Sequence, residues 1–175
     1  MAFKIYHQQC TQADRKAFYL RSVEQSLKKK VIIQKNDVGK PYLACQSAFI
    51  SITHKAQETV VAVSDQPIGI DIETLNQHVN TLKLAERFFC AAEYEYLLSL
   101  DKDACMHAFI HFWTGKEAIT KLKGLGVPSS LKRIELDPYN GFKPMNDDIN
   151  IEFQAINDHY LLAIAMFSEI DNHTS

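Results

Sequence analysis

Two short runs carry the residues able to do chemistry, Gly69-Ile70-Asp71-Ile72-Glu73 and Trp113-Thr114-Gly115-Lys116-Glu117-Ala118-Ile119-Thr120-Lys121. Residues 68–72 are an apolar run that reads as a strand, and alternate side chains of a strand leave on one face, so Asp71 and Glu73 point the same way. Two carboxylates held side by side repel unless positive charge lies between them, and a hard divalent cation with oxygen ligands supplies it; Mg2+ is the expected ion. The second run lies in a strongly helical stretch, where Trp113, Glu117 and Lys121 are four apart and share a face. Glu117 would add a third oxygen ligand and leave other positions on the cation for phosphate oxygens, while Lys116 and Lys121 bind further phosphate charge. Phosphoryl chemistry suits this set. Taken singly each feature is ordinary: a solvated pair at a strand end, or a surface helix pair worth about 0.3–0.5 kcal/mol. Their joint occurrence with Gly39-Lys40-Pro41 and Ser51-Ile52-Thr53-His54 upstream singles them out.

The elements that must position these residues follow from periodicity. Residues 3–6 read as a first strand, and Ala13, Ala17, Leu20, Val23 and Leu27 then recur at helical spacing. Residues 49–53 and 59–63 read as a hairpin, and Asp65-Gln66-Pro67 turns the chain into the carboxylate strand. Short helices are expected over 82–89 and 91–100. A long one over 105–122 has a core face of Cys105, Phe109, Phe112, Ile119 and Leu122, and Gly124 ends it. Strands are expected over 131–136, 151–156 and 160–167, the last two joined through Asn157-Asp158. The order helix then strands appears twice.

Composition describes an ordinary globular chain. Its 175 residues, 46% of them hydrophobic, can bury one sizeable core, and length favours a single domain or two small lobes. A formal charge of −2 argues against a basic nucleic-acid binder; the main basic cluster, Lys28-Lys29-Lys30, sits at an expected helix end and complements its dipole, with docking of an acidic partner as the sharper alternative. Cys10, Cys45, Cys90 and Cys105 are scattered, without a Cys-x-x-Cys pair, which suggests no zinc knuckle or redox motif. The longest apolar stretch, residues 160–167, is too short to span a bilayer, and no secretory leader pattern opens the chain, so a cytoplasmic protein with no membrane partner is expected. His107 and His111 are four apart on the long helix, but His-Ala-Phe-Ile-His lacks the metalloprotease glutamate and a third ligand, and the pair reads as packing beside the core, as does Trp113.

The chain resembles the 4′-phosphopantetheinyl transferases, and specifically their larger, surfactin-synthetase-activating type. The likeness runs through Gly39-Lys40-Pro41-Tyr42, residues 49–54, residues 66–73, Arg87-Phe88-Phe89 with Glu93-Tyr94, and residues 113–121 followed by Gly124-Leu125-Gly126. It covers residues 36–136, in family order. The resemblance implies transfer of the phosphopantetheine arm of coenzyme A to a serine of an acyl, peptidyl or aryl carrier protein, with release of adenosine 3′,5′-bisphosphate. It implies an α+β fold of two α/β lobes related by a pseudo-twofold axis, each a helix packed on an antiparallel sheet, over residues 1–66 and 67–175, with coenzyme A in the cleft between them. Asp71, Glu73 and Glu117 would hold Mg2+. Lys40, Ser51, Thr53 and His54 from the first lobe, with Lys116 and Lys121 from the second, would contact coenzyme A, and Lys121 and His54 would neutralise phosphate charge as the bond breaks. The proton of the carrier serine would go to Glu117 or to a metal-bound water polarised by Glu73.

Two positions depart from the family pattern. Thr53-His54-Lys55 replaces a usual Ser-His-Ser, keeping the histidine and adding a cation, and the stretch before Gly39 is shorter than in the larger type, so its nucleotide-holding basic positions have no clear counterpart. Arg15 and Lys16 are the substitutes on offer, and a basic pair near a helix start reads as solvated. In the segment 76–90, Leu84, Phe88 and Phe89 are either a carrier-docking surface or core, and helical spacing favours core. A monomer is expected. The rival functions are a non-catalytic coenzyme A or carrier-binding relative and an unrelated Mg2+-dependent phosphohydrolase.

Overall fold

The computed structural model describes residues 2–76, 79–125, 130–145 and 148–168. In chain order the elements are β1 (Phe3–Gln9), α1 (Arg15–Leu27), β2 (Ile33–Lys35), β3 (Pro41–Leu43), β4 (Phe49–Lys55), β5 (Glu58–Ser64), β6 (Ile68–Thr74), α2 (Thr81–Phe88), α3 (Ala91–Leu98), α4 (Lys102–Lys123), β7 (Leu136–Asp137), β8 (Lys143–Pro144), β9 (Ile149–Ile156) and β10 (Tyr160–Phe167). This is the expected mixed α+β fold. Its two halves follow one plan: a strand, helical structure, a short two-stranded ladder (β2-β3, then β7-β8) and a hairpin whose last strand pairs with the first. The resulting antiparallel sheets have the orders β1-β5-β4 and β6-β10-β9.

Strand alternation distributes the apolar residues. In β5, Val60 and Ala62 face a core shared with Ile68, Ile70 and Ile72 of β6 and with Leu162, Ile164 and Met166 of β10. Val61 and Val63 face the other way, onto Phe18 and Val23 of α1. In β10 the odd residues Leu161, Ala163 and Ala165 join the core under α4, with Phe109, Phe112, Ile119 and Leu122. Because β6 spends its isoleucines on the inter-sheet core, its opposite face carries Gly69, Asp71 and Glu73, and α4 lies across that face. Gly69 permits the approach: a Cβ there would stand 2.1 Å from the Ala118 carbonyl oxygen and 2.4 Å from the Leu122 nitrogen. The long helix starts on Asp101, whose side chain accepts from the Asp103 and Ala104 amides, and stops at Gly124, in the left-handed region at φ 67°.

One expectation needs revision, one ladder is new, and one expectation holds. Residues 131–136 are not one strand: Leu131–Arg133 form a 3-10 turn, and only Leu136 and Asp137 pair. The carbonyls of Leu131 and Ile134 turn inward to receive the Lys116 ammonium, so they are not available to a ladder. The Gly39-Lys40-Pro41 turn is the tip of a β2-β3 ladder that periodicity over three-residue strands did not disclose. Of the apolar trio at 84–89, Phe89 is fully buried core, and Leu84 and Phe88 pack against that core. Gly126 and residues 77 and 78 of the 76–90 segment lie outside the described residues. Among the described residues no helix is long and apolar enough to cross a membrane, and the four cysteines are free thiols.

Candidate active site

The site forms where β4 of the first half lies beside β6 of the second and α4 crosses both. Ser51 is buried, and its Oγ accepts the Ile70 amide at 3.0 Å, which brackets the two strands. Two residues on, the Thr53 hydroxyl donates to Asp71 Oδ1 at 3.0 Å, and two further on the Lys55 ammonium pairs with Glu73 Oε2. In the last turn of α4, Lys121 places its Nζ 2.7 Å from Asp71 Oδ1 and 3.2 Å from Thr53 Oγ1. Asp71 and Glu73 are 4% and 8% exposed, so their charges act at reduced dielectric.

Glu117, one helical turn before Lys121, completes the set. Its carboxyl is pushed up to about 7, first by burial and then by the Asp71 charge, against the pull of Lys121; Glu73 adds to the rise and Lys55 opposes it. The three expected carboxylates therefore feel one another, and Asp71 Oδ2 is buried without a hydrogen-bond partner. In the side-chain arrangement described, no three His, Cys, Asp or Glu among the described residues converge to metal-holding distance; Lys55 and Lys121 serve as counterions. The donor set nevertheless fits a hard divalent cation. Its oxygens carry negative charge, one buried carboxylate oxygen lacks a hydrogen-bond partner, and burial and the Asp71 charge make the neighbouring Glu117 carboxyl hold its proton.

This environment sets a pH dependence. The folded carboxyl of Glu117 keeps its proton to about pH 7, whereas a free glutamate loses it near 4.5. Between those values the native state binds more protons than the unfolded chain, so stability falls as pH rises through the window. Glu117→Gln is expected to be more stable than the parent above pH 7 without divalent ions, by on the order of 2 kcal/mol, with the advantage gone below the free-glutamate value. Urea denaturation of both proteins across that range checks it; a pH-independent difference would contradict the burial and charge account.

The structure does not treat the other expected residues alike. Lys40 reaches across from the β2-β3 tip to donate to the Leu122 carbonyl at 3.1 Å, and burial pulls its pKa down. With Ser51, Lys121 and Gly124 it lines a cavity of about 350 Å³. His54 is exposed and stays close enough to the cluster to feel it: burial lowers its pKa first, followed by the charges of Arg15 and Lys121, with Asp71 opposing. Lys116 is a correction. It is fully buried on another side of α4, with Nζ 2.6 Å from Glu93 Oε2 and 3.0 Å from the Leu131 carbonyl, so it binds no phosphate. Glu93 in turn accepts the Cys90 and Leu136 amides, and the pair ties α3 and the 131–136 turn to α4. Leaving either charge alone in that place would cost about 3–5 kcal/mol. Trp113 packs on Phe88, Phe89 and Phe109. His111 lies between His107, Phe142 and Phe153, as packing predicts.

Two cations at the site escaped sequence reasoning. Lys55 was noted only as a departure, yet Thr53 on Asp71 and Lys55 on Glu73 share one offset between strands, so the first pairing implies the second. Arg15, read as solvated, donates to the Ala56 carbonyl, has a buried Nε without a partner, and places its charge near His54. Only the packing of α1 against the β4-β5 turn reveals it.

The sequence model of the 4′-phosphopantetheinyl transferase superfamily matches residues 67–165, more than half of the chain. The chain belongs to that superfamily. It is 34% identical over 109 residues to the 4′-phosphopantetheinyl transferase gsp of Aneurinibacillus migulanus, covering 62% of this chain and 45% of the relative. It is 38% identical over 103 residues to psf-1 of Bacillus pumilus, covering 58% and 43%, and 38% identical over 92 residues to Sfp of Bacillus subtilis strain 168, covering 52% and 40%. The aligned region thus spans less than half the length of these curated relatives. Among solved structures, a holo-(acyl-carrier-protein) synthase from Bacillus anthracis in complex with CoA is similar at a TM-score of 0.48 and 22% identity, over 59% of this chain and 96% of that one.

Proposed function

We propose that the chain transfers the 4′-phosphopantetheine arm of coenzyme A to a serine hydroxyl of an acyl or peptidyl carrier protein, releasing adenosine 3′,5′-bisphosphate. The observation that carries this reading is the juxtaposition of Asp71, Glu73 and Glu117 with Lys121 at the edge of a cavity that also holds Lys40. In it the serine oxygen attacks the phosphorus bearing the pantetheine arm, the bridging bond of the pyrophosphate breaks, and the bisphosphate leaves with the electron pair. Glu117, beside Lys121 on the same helix face, would take the serine proton. Lys121, anchored by Asp71 and Thr53, presents positive charge to the pyrophosphate; Arg15 adds charge at the β4 end, where His54, its pKa lowered, would serve as a neutral hydrogen-bond donor to phosphate oxygen. Lys40, which lines the same cavity as Ser51 and Lys121, would meet the nucleotide phosphate, and Ser51 and Thr53 would contact coenzyme A beside it. Bound Mg2+ would be held by Asp71, Glu73 and Glu117 and would neutralise pyrophosphate charge. The reading treats residues 1–66 and 67–175 as two lobes of a cytoplasmic monomer.

The test is intact-mass spectrometry of apo carrier proteins incubated with this protein, coenzyme A and Mg2+. A gain of one phosphopantetheine arm, absent when the carrier serine is replaced by alanine, is the expected result. Release of phosphate with no adduct would point to a phosphohydrolase, and coenzyme A binding with no adduct on any carrier to a non-catalytic relative.

A further inference from the structure

Lys55 stands at the last position of β4, and its ammonium is on Glu73, while Lys121 holds Asp71. The two ammoniums occupy the carboxylates that a divalent cation would use, but they are held differently. Lys121 is fixed by both Asp71 and Thr53. Lys55 extends from a backbone that is itself clamped: Ala56 O accepts from Arg15, Gln57 O accepts the Cys10 amide at 2.8 Å, and buried Glu58 accepts from Gln9 at 2.8 Å and pairs with His7. The turn after Lys55 is thus fixed, and what remains free to move is the four-carbon stem. Its side chain is 35% exposed against 11% for Glu73, so the ammonium can leave for water while the carboxylate stays in the site.

We infer that Lys55 is a built-in counterion of Glu73 that competes with the divalent cation for that carboxylate and so sets the cation concentration at which the site fills. The inference rests on the reading of Asp71, Glu73 and Glu117 as cation ligands. An ammonium and a dication cannot share one carboxylate oxygen without strong mutual repulsion, so a cation that binds through Glu73 Oε2 requires the Lys55–Glu73 pair to open, whereas Asp71 offers its unpartnered Oδ2 while Lys121 stays on Oδ1. The pair also keeps the carboxylates compensated while the cation is absent. Removing Lys55 therefore has opposite consequences in the two states: the cation-free protein loses a counterion, and the cation-loaded one loses a competitor.

The experiment is Mn2+ binding to the full chain without coenzyme A, followed by the electron paramagnetic resonance of free Mn2+, for the parent, Lys55→Ser, Lys55→Met, Lys55→Arg and Asp71→Asn. Lys55→Ser and Lys55→Met, the second keeping an apolar stem, are expected to bind about 10-fold more tightly than the parent. Lys55→Arg should retain parental affinity, and Asp71→Asn should bind weakly. Saturating Mn2+ should also raise the Tm of Lys55→Ser further than that of the parent. Equal or weaker Mn2+ binding by Lys55→Ser and Lys55→Met, with Asp71→Asn still impaired, overturns the role of Lys55 and leaves the cation reading standing. Absence of Asp71-dependent binding in every protein overturns the cation reading and this inference with it.

Discussion

Asp71→Asn is expected to lower phosphopantetheine transfer by about 10²–10³-fold while leaving the fold intact. Asp71 carries more of the site than any other side chain. One of its oxygens receives both the Lys121 ammonium and the Thr53 hydroxyl, and the other is buried without a hydrogen-bond partner. The amide keeps the size and loses the charge. An NH2 group then faces either Lys121, which repels it, or the position of the unpartnered oxygen, which no longer attracts a cation. Lys121 loses its anchor and with it the fixed direction in which it presents charge to the pyrophosphate; preorganised charge is worth most when it costs nothing to orient at the moment of reaction. Since Lys121 retains 28% of its side-chain exposure, its ammonium can rehydrate, and the stability change should be small beside the loss of rate. Initial rates of carrier modification by mass spectrometry, with thermal unfolding as the control, decide it. A variant that keeps a tenth of the parental rate would remove Asp71 from the centre of the mechanism.

Gly69→Ala is expected to destabilise the protein by more than about 4 kcal/mol, enough to abolish a cooperative unfolding transition in a marginally stable chain. The added methyl carbon would lie 2.1 Å from the Ala118 oxygen, 2.4 Å from the Leu122 nitrogen and 2.9 Å from the Leu122 Cα. All three are main-chain atoms, so no rotamer change relieves the clash, and β6 and α4 must part. The parting opens the core of Ile119, Leu122 and Ala163 and draws Asp71 and Glu73 away from Glu117 and Lys121. Circular dichroism in rising urea measures the loss. A variant with the parental midpoint would show that α4 does not rest on β6 at that point.

The same glycine shows how far the sequence could be read. Alternation placed Asp71 and Glu73 on one strand face, and a period of four placed Glu117 and Lys121 on one helix face; both are geometric consequences of regular backbone and hold wherever the elements sit. Hairpin partners at β4-β5 and β9-β10 were legible for the same reason, as was the left-handed stop at Gly124, where a side chain would be strained. The fate of the two lysines in the second run was not legible. Lys116 and Lys121 are alike in composition and near in sequence, but their directions around the helix differ, and what waits in each direction comes from far along the chain. Glu93 and the carbonyls of 131 and 134 meet Lys116, whereas Asp71 and Thr53 meet Lys121.

By itself the sequence determined which side chains within one element share a face, where helices and hairpins stop, and the family pattern they form, because these depend on backbone period and local sterics. Only the tertiary structure decided that Lys121 meets Asp71 while Lys116 is buried against Glu93, and that Lys55 pairs with Glu73 and Arg15 comes near His54. Those outcomes depend on long-range neighbours that set burial, dielectric and charge pairing, and no local period encodes them.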